Sequence, residues 1–247
     1  MRTGSYILMV FVGVGAIALR ADPSWRVDLE SGWLTTGRAD VRIPGDTGTR
    51  FSLVDDLDAD DTAYIRGRVS WRSAPRHNWT LSLVPIEVSA TGTLEQDTKY
   101  VDTLFPAGTT VDATYRFNNY RLSYRYLFYE SDHLHAEAGA TLFVRDAKVT
   151  LESGNERDAS SDLGIVPLVS FGVRWEFIPS VSLVLDGDAL AAPQGRAFDV
   201  FGGIHYRPRE HRSIGLGYRI LEGGADNDDV YTFALFHHLA LQASLQF

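Results

Sequence analysis

Three carboxylates come closest to a catalytic constellation in this chain. Asp186 and Asp188 flank a single glycine, and Asp199 follows on the next extended run. Residues two apart on a strand share a face at ~7 Å spacing, and an antiparallel neighbour would bring Asp199 beside them. Carboxylates so crowded bind a cation, pair with arginine or keep a proton. The last state is what a hydrolase would use, so Asp186, Asp188 and Asp199 form the candidate catalytic set; pairing with arginines is the competing and favoured reading. A Ser–His nucleophile fails on distance, because His238 and Ser244 lie ~20 Å apart along one strand. The acidic stretch Asp55 to Asp61 resembles a calcium loop only loosely. The glycine expected after its third ligand is Asp61, and the closing glutamate position is Gly67. No metal and no cofactor is expected.

The elements that must carry these residues follow from composition and periodicity. The chain has 247 residues, 45% hydrophobic and 12% aromatic, with no cysteine and a net charge of -9. That apolar content specifies a folded chain, while the missing cysteines exclude disulfides, thiolate metal sites and a cysteine nucleophile. The acidic balance, without a basic stripe, excludes nucleic acid as a partner. Arg2 precedes an apolar run from Tyr6 to Leu19 that ends in small residues. This is the pattern of a secretory signal peptide over residues 1–21, with cleavage after Ala18 or Ala21. The run is shorter than the ~20 residues of a membrane-spanning helix. Residues 22–247 form the mature domain.

From Trp25 onward the pattern has period 2, as in Tyr120, Leu122, Tyr124 and Tyr126 alternating with Arg121, Ser123 and Arg125. Ten such runs are predicted, near 25–36, 61–73, 78–91, 111–128, 133–150, 161–178, 180–190, 196–207, 213–222 and 229–247; eight strands is the alternative. Pro85 and Pro167 fall inside runs, which predicts bulges or strand ends there. At Pro85 the apolar phase also shifts by one, from Trp79, Leu81 and Leu83 to Ile86, Val88 and Ala90, as one bulge residue would cause. Connections alternate between tight turns and longer Gly-, Asp- and Thr-rich segments, notably 37–60 and 92–110.

Alternation alone does not say which face points inward. Trp25, Trp71, Trp79 and Trp175 map to the tight-turn end and Trp33 to the opposite end, the placement a membrane interface selects. The apolar faces carry no Asp, Glu, Lys or Arg. At the C-terminus Leu241, Ala243, Leu245 and Phe247 alternate with Gln242, Ser244 and Gln246. In this last strand the chain resembles the small single-chain bacterial outer-membrane β-barrel proteins. The resemblance implies an all-β, antiparallel up-and-down transmembrane barrel in the cell outer membrane, with lipid and lipopolysaccharide as surroundings. It also implies that Leu241, Ala243, Leu245 and Phe247 are the signal read by the barrel-assembly machinery, and that Phe247 joins the tryptophans at the interface.

With the apolar face outward, the lumen should receive Arg66, Arg68, Arg121, Arg125, Glu137, Arg145, Arg174, Glu176, Asp186, Asp188 and Asp199, together with Arg26, Asp28, Glu30, Arg72 and Glu87. Ten strands enclose little beyond their own side chains, so a charge-paired interior is expected, with a narrow anion-favouring pore as the sharper alternative. Some outer-membrane proteases are ten-stranded barrels, but their sites need an Asp–His pair near two further aspartates, and neither His205 nor His238 stands beside the aspartates here. The predicted role is therefore non-enzymatic: structural or surface-acting, or a narrow pore. The alternatives are a lumen-carboxylate hydrolase and a binding barrel acting through 37–60 and 92–110. Oligomeric state is left open.

Overall fold

The computed structural model describes residues 24–247 apart from 155, 193 and 194; the segment read as a signal peptide, residues 1–21, lies outside the described residues. In chain order the strands are β1 (Trp25–Arg42), β2 (Phe51–Ser52), β3 (Asp58–Ala59), β4 (Thr62–Ala74), β5 (His77–Val84), β6 (Glu87–Thr93), β7 (Thr98–Tyr100) and β8 (Thr103–Phe105). The longer ones follow: β9 (Thr110–Glu130), β10 (Leu134–Ser153), β11 (Glu156–Ile178), β12 (Val181–Ala192), β13 (Gly195–Arg209), β14 (Arg212–Asp226) and β15 (Tyr231–Gln246).

All pairings are antiparallel; with the short β2, β3, β7 and β8 set aside and β5 and β6 taken together, they join strands consecutive in the chain, and the ring closes where β1 meets β15. Trp25 and Phe247 exchange backbone hydrogen bonds of 3.0 and 2.9 Å there. With β5 and β6 as two halves of one strand, ten strands surround the lumen, as the alternation predicts. Closure removes every free edge around the membrane-spanning part, so each backbone N–H and C=O finds a partner without water. Tight turns at Pro75, Pro179 and His211 lie at the same end as Ser24, the first described residue, and Phe247, which is the periplasmic end in barrels of this class.

Along most strands the inward face is fixed by register, yet its chemistry changes midway. On β9 the inward residues Asn119, Arg121 and Ser123 near the short-turn end give way to Phe117, Tyr115, Ala113 and Val111 beyond. The outward face changes in the opposite sense, from Tyr120, Leu122 and Tyr126 to Asn118, Arg116 and Asp112. The neighbouring β10 does the same at the same level: Val144, opposite Tyr120, is outward and apolar, while Asp146, opposite Asn118, is outward and charged. On β14 the outward face passes from Ile220 to Glu222 as the inward face passes from Arg219 to Leu221. Below this level the barrel wears its apolar side chains outside, as lipid requires; above it they fill the interior, as water requires.

This inversion corrects the reading of Pro85. Val84 pairs with Asn119 and Glu87 with Arg116, so the register against β9 runs unbroken through the proline. There is no bulge. The apolar residues change phase because the solvent outside changes, and Ile86, Val88 and Ala90 point into the barrel on the same face as Ser82 and Val84. Glu87, expected in the lumen, therefore projects outward beside Arg116. Pro167 likewise causes no register shift against β10. It lies just past Val169↔Ala189, where pairing with β12 ends and no N–H is required on that side.

Segments 37–60 and 92–110 are not free loops. Strand β2 pairs with β1, β3 pairs with β6, and β7 and β8 form a hairpin. Phe51, Leu53, Leu57, Leu94, Tyr100 and Phe105 from these segments are buried against Val111, Phe117, Phe143, Leu151 and Phe236 of the wall. Phe117 meets Phe236 and Phe143 at ring-centroid distances of 6.1 and 6.4 Å. The hairpin is tied across the mouth: Val101 N donates to Ile43 O at 2.9 Å, Tyr100 Oη donates to Val149 O at 2.9 Å, and Asp102 N donates to Asp158 at 3.0 Å. Burial raises the pKa of the Tyr100 phenol well above its ordinary value. The outer end of the barrel is thus capped by an apolar core.

Candidate functional site

Below that core the inward side chains form a layer of ion pairs. The centre is Arg219 on β14, whose Nε and Nη2 each donate to Glu30 at 2.8 Å in a bidentate pair, while Nη1 donates to Asp199 at 2.6 Å. Tyr64 and Gln242 also donate to Glu30, at 2.9 and 2.5 Å. Asp199 further takes Arg66 at 2.9 Å and Arg121 at 2.8 Å. Arg121 bridges to Asp188 at 2.8 Å, and Thr141 donates to the other oxygen of Asp188 at 2.7 Å. Asp186 is held by Arg125 at 2.5 Å and Arg68 at 3.0 Å. Arg219, Glu30, Asp199, Arg66 and Arg121 are buried, and charges so removed from water persist only when paired and hydrogen-bonded.

Aromatic rings flank this layer. The Arg121 guanidinium lies over Phe143 at 4.7 Å, a cation–π contact that joins the ionic layer to the apolar core, while that of Arg219 lies over Phe201 at 5.3 Å on the cavity side of the layer. His238 is fully buried edge-on against Tyr64, with ring centroids 4.5 Å apart. Below the layer a polar cavity of about 310 Å³ opens toward the short-turn end. Its wall includes Arg26, Asp28, Glu137, Arg174, Glu176, His205 and Gln242. His205 Nε2 shares a 2.7 Å hydrogen bond with Gln242, and Glu176 pairs with Arg207 at 2.5 Å near the rim.

The structure brings Asp186, Asp188 and Asp199 to one region, with Asp188 directly opposite Asp199. Each is engaged by arginine rather than set beside a histidine. Arg66, Arg68, Arg121, Arg125, Glu137, Arg174 and Glu176 line the lumen wall. Arg145 does not join them: it pairs with Asp162 above the ionic layer, beside Tyr115 in the outer half. Of the surface aromatics, Trp25 pairs with Trp71 and Trp71 with Trp79 at one level, the first two rings stacked at 6.0 Å. Trp175 is exposed opposite Leu134 at the same end, while Trp33 at the other end donates to Asp61 at 3.2 Å. Leu241, Ala243 and Leu245 face outward along β15, and Phe247, just past its end, is exposed. Sequence reasoning missed Arg219, although its phase between the outward Tyr218 and Ile220 carried the signal.

No family model matches the chain, and no curated protein matches it. Among solved structures, the crystal structure of the outer membrane protease OmpT from Escherichia coli is similar with a TM-score of 0.64 at 9% identity, covering 94% of this chain and 99% of that one. The attachment invasion locus protein Ail of Yersinia pestis, in complex with a heparin analogue, is found at TM-score 0.40 and 11% identity, covering 91% of this chain and 99% of its own. The P. putida toluene transporter TodX is found at 0.38 and 8%, covering 92% and 91%. At such identities the likeness is one of fold. A closed ten-stranded antiparallel ring, an outward apolar band and the OmpT superposition agree that the chain has the fold of the small bacterial outer-membrane β-barrels and belongs in that membrane.

Proposed function

We propose that this chain is a non-enzymatic outer-membrane barrel that does not conduct and that acts at the cell surface through its outer half. The observation that carries this reading is the apolar core across the outer mouth. An ion entering there would have to displace Phe51, Tyr100, Phe117 and Phe236, all of which are essentially unexposed. The ionic layer beneath supports the same reading, since each of its carboxylates is neutralised by arginine at hydrogen-bond distance. Above the membrane the exterior is polar and acidic, a surface fit for contact with other molecules. The ring of Trp25, Trp71, Trp79 and Trp175, with Trp33 opposite and Phe247 at the terminus, is read as seating the barrel in lipid and lipopolysaccharide. Leu241, Ala243, Leu245 and Phe247 are read as the segment that the assembly machinery engages.

Planar-bilayer recording of the refolded protein tests the proposal, with unboiled-gel migration reporting a folded barrel. A folded, silent barrel is the expected result; stable ion-selective steps would replace the surface role with a pore. The hydrolase alternative is tested by Asp186→Asn with Asp188→Asn: a hydrolytic activity abolished by this pair in a folded barrel would overturn the non-enzymatic reading.

A further inference from the structure

The cavity at the short-turn end is unevenly charged. Nine arginines and seven carboxylates line it, with an eighth carboxylate, Glu30, behind its upper wall. Most acids below the ionic layer are engaged: Asp28 by Arg26 at 3.1 Å and Ser244 at 2.5 Å, and Glu137 by Asn78 at 3.0 Å, while Glu130, half-exposed at the rim, has His135 at 3.6 Å. Glu176 is taken by Arg207. Among the described residues Arg174 has neither a carboxylate nor a hydrogen-bond acceptor at bonding distance. Its inward position is set by register, opposite His135 on β10 and Val184 on β12. Arg26 and Arg207 bear on it with like charge, and Asp28 and Glu137 with opposite charge from beyond bonding distance.

A guanidinium keeps its charge at any physiological pH. Inside a concave wall, away from bulk water, that charge acts more strongly than on an open surface. We propose that this cavity is a binding site for a small oxyanion, with a phosphate or carboxylate group on the planar fork of Arg174. At about 310 Å³ the cavity lies at the lower end of small-molecule sites. The ligand enters from the short-turn side and leaves by the same route, because the ionic layer and apolar core close the way beyond. This site is independent of any role of the outer half.

Isothermal titration of the folded barrel in detergent at low ionic strength, with inorganic phosphate in one arm and acetate in the other, tests the site. Saturable binding is expected in at least one arm, weakened tenfold or more in Arg174→Gln at unchanged gel migration. Saturation by neither anion, or binding by R174Q equal to wild type, overturns it. If R174Q does not fold, labelling of the wild type with phenylglyoxal decides. Slower modification of Arg174 in the presence of the bound anion supports the site, and equal modification overturns it.

Discussion

Along the inward face of β9, the outer half presents Val111, Ala113, Tyr115 and Phe117, and the inner half Asn119, Arg121, Ser123 and Arg125. The two halves share strands, register and hydrogen-bond ladder, and their opposite patterning answers to what surrounds them. In the inner half the hydrophobic effect is satisfied outside by lipid, so the interior must be filled by polar groups that satisfy one another. In the outer half water surrounds the barrel, and the interior becomes an ordinary apolar core. The lesson is that an alternating strand specifies two faces, while the medium decides which of them is inside.

That comparison can be broken by substitutions matched across the two halves. The largest effect is expected at the ionic centre, where Arg219→Ala strands Glu30 and Asp199 without their best partner. Removing one member of such a buried set costs ~3–5 kcal/mol, read as a lower urea midpoint for unfolding. In the outer core, Leu53→Ala should cost ~2–5 kcal/mol through lost burial and a cavity, and should leave the migration of the membrane-embedded part intact. On the outer surface the halves should diverge. Leu216→Arg, in the outward apolar band, should cost ~2–4 kcal/mol if it sits near the bilayer midplane. Asn118→Arg, just above the inversion, should stay within ~0.5 kcal/mol, as surface substitutions do; equal costs at both positions would erase the distinction. A similarly small effect is expected at the exposed pair of Arg157 and Glu152, 2.9 Å apart, where Glu152→Gln should cost at most a few tenths of a kcal/mol, about what an exposed ion pair contributes.

Much of the inner half was legible from sequence, because lipid imposes strict alternation. The runs 120–126 and 239–247 carry apolar residues at every second position, and their outward phase also fixes Arg121, Arg125 and Gln242 as inward. The outer half was less legible for a physical reason. Its inward apolar residues fall on the opposite phase, so the change at Pro85 mimicked a bulge and displaced Glu87 to the wrong side. Segments 37–60 and 92–110 hid their role because Phe51, Leu53, Leu57, Tyr100 and Phe105 are scattered among acidic and small residues, with no sustained period to connect them. The three aspartates were placed correctly on one face, but their arginine partners come from strands far away in sequence: 133 residues separate Arg66 from Asp199, and 118 separate Arg68 from Asp186. No local spacing encodes such pairs.

The inversion itself is most directly tested by a cysteine scan of β9, for which the cysteine-free chain is already a clean background. Single cysteines at Asp112, Thr114, Phe117, Asn118, Tyr120, Leu122 and Tyr126 would carry an environment-sensitive fluorophore, with the barrel in vesicles containing lipid-bound quencher. Labels at Tyr120, Leu122 and Tyr126 should be quenched by lipid, those at Asp112, Thr114 and Asn118 by a water-soluble quencher, and the thiol at Phe117 should resist labelling while the barrel is folded. Lipid quenching that continues with period 2 through Asn118, Thr114 and Asp112 would contradict the inversion, and with it the apolar core that closes the outer mouth.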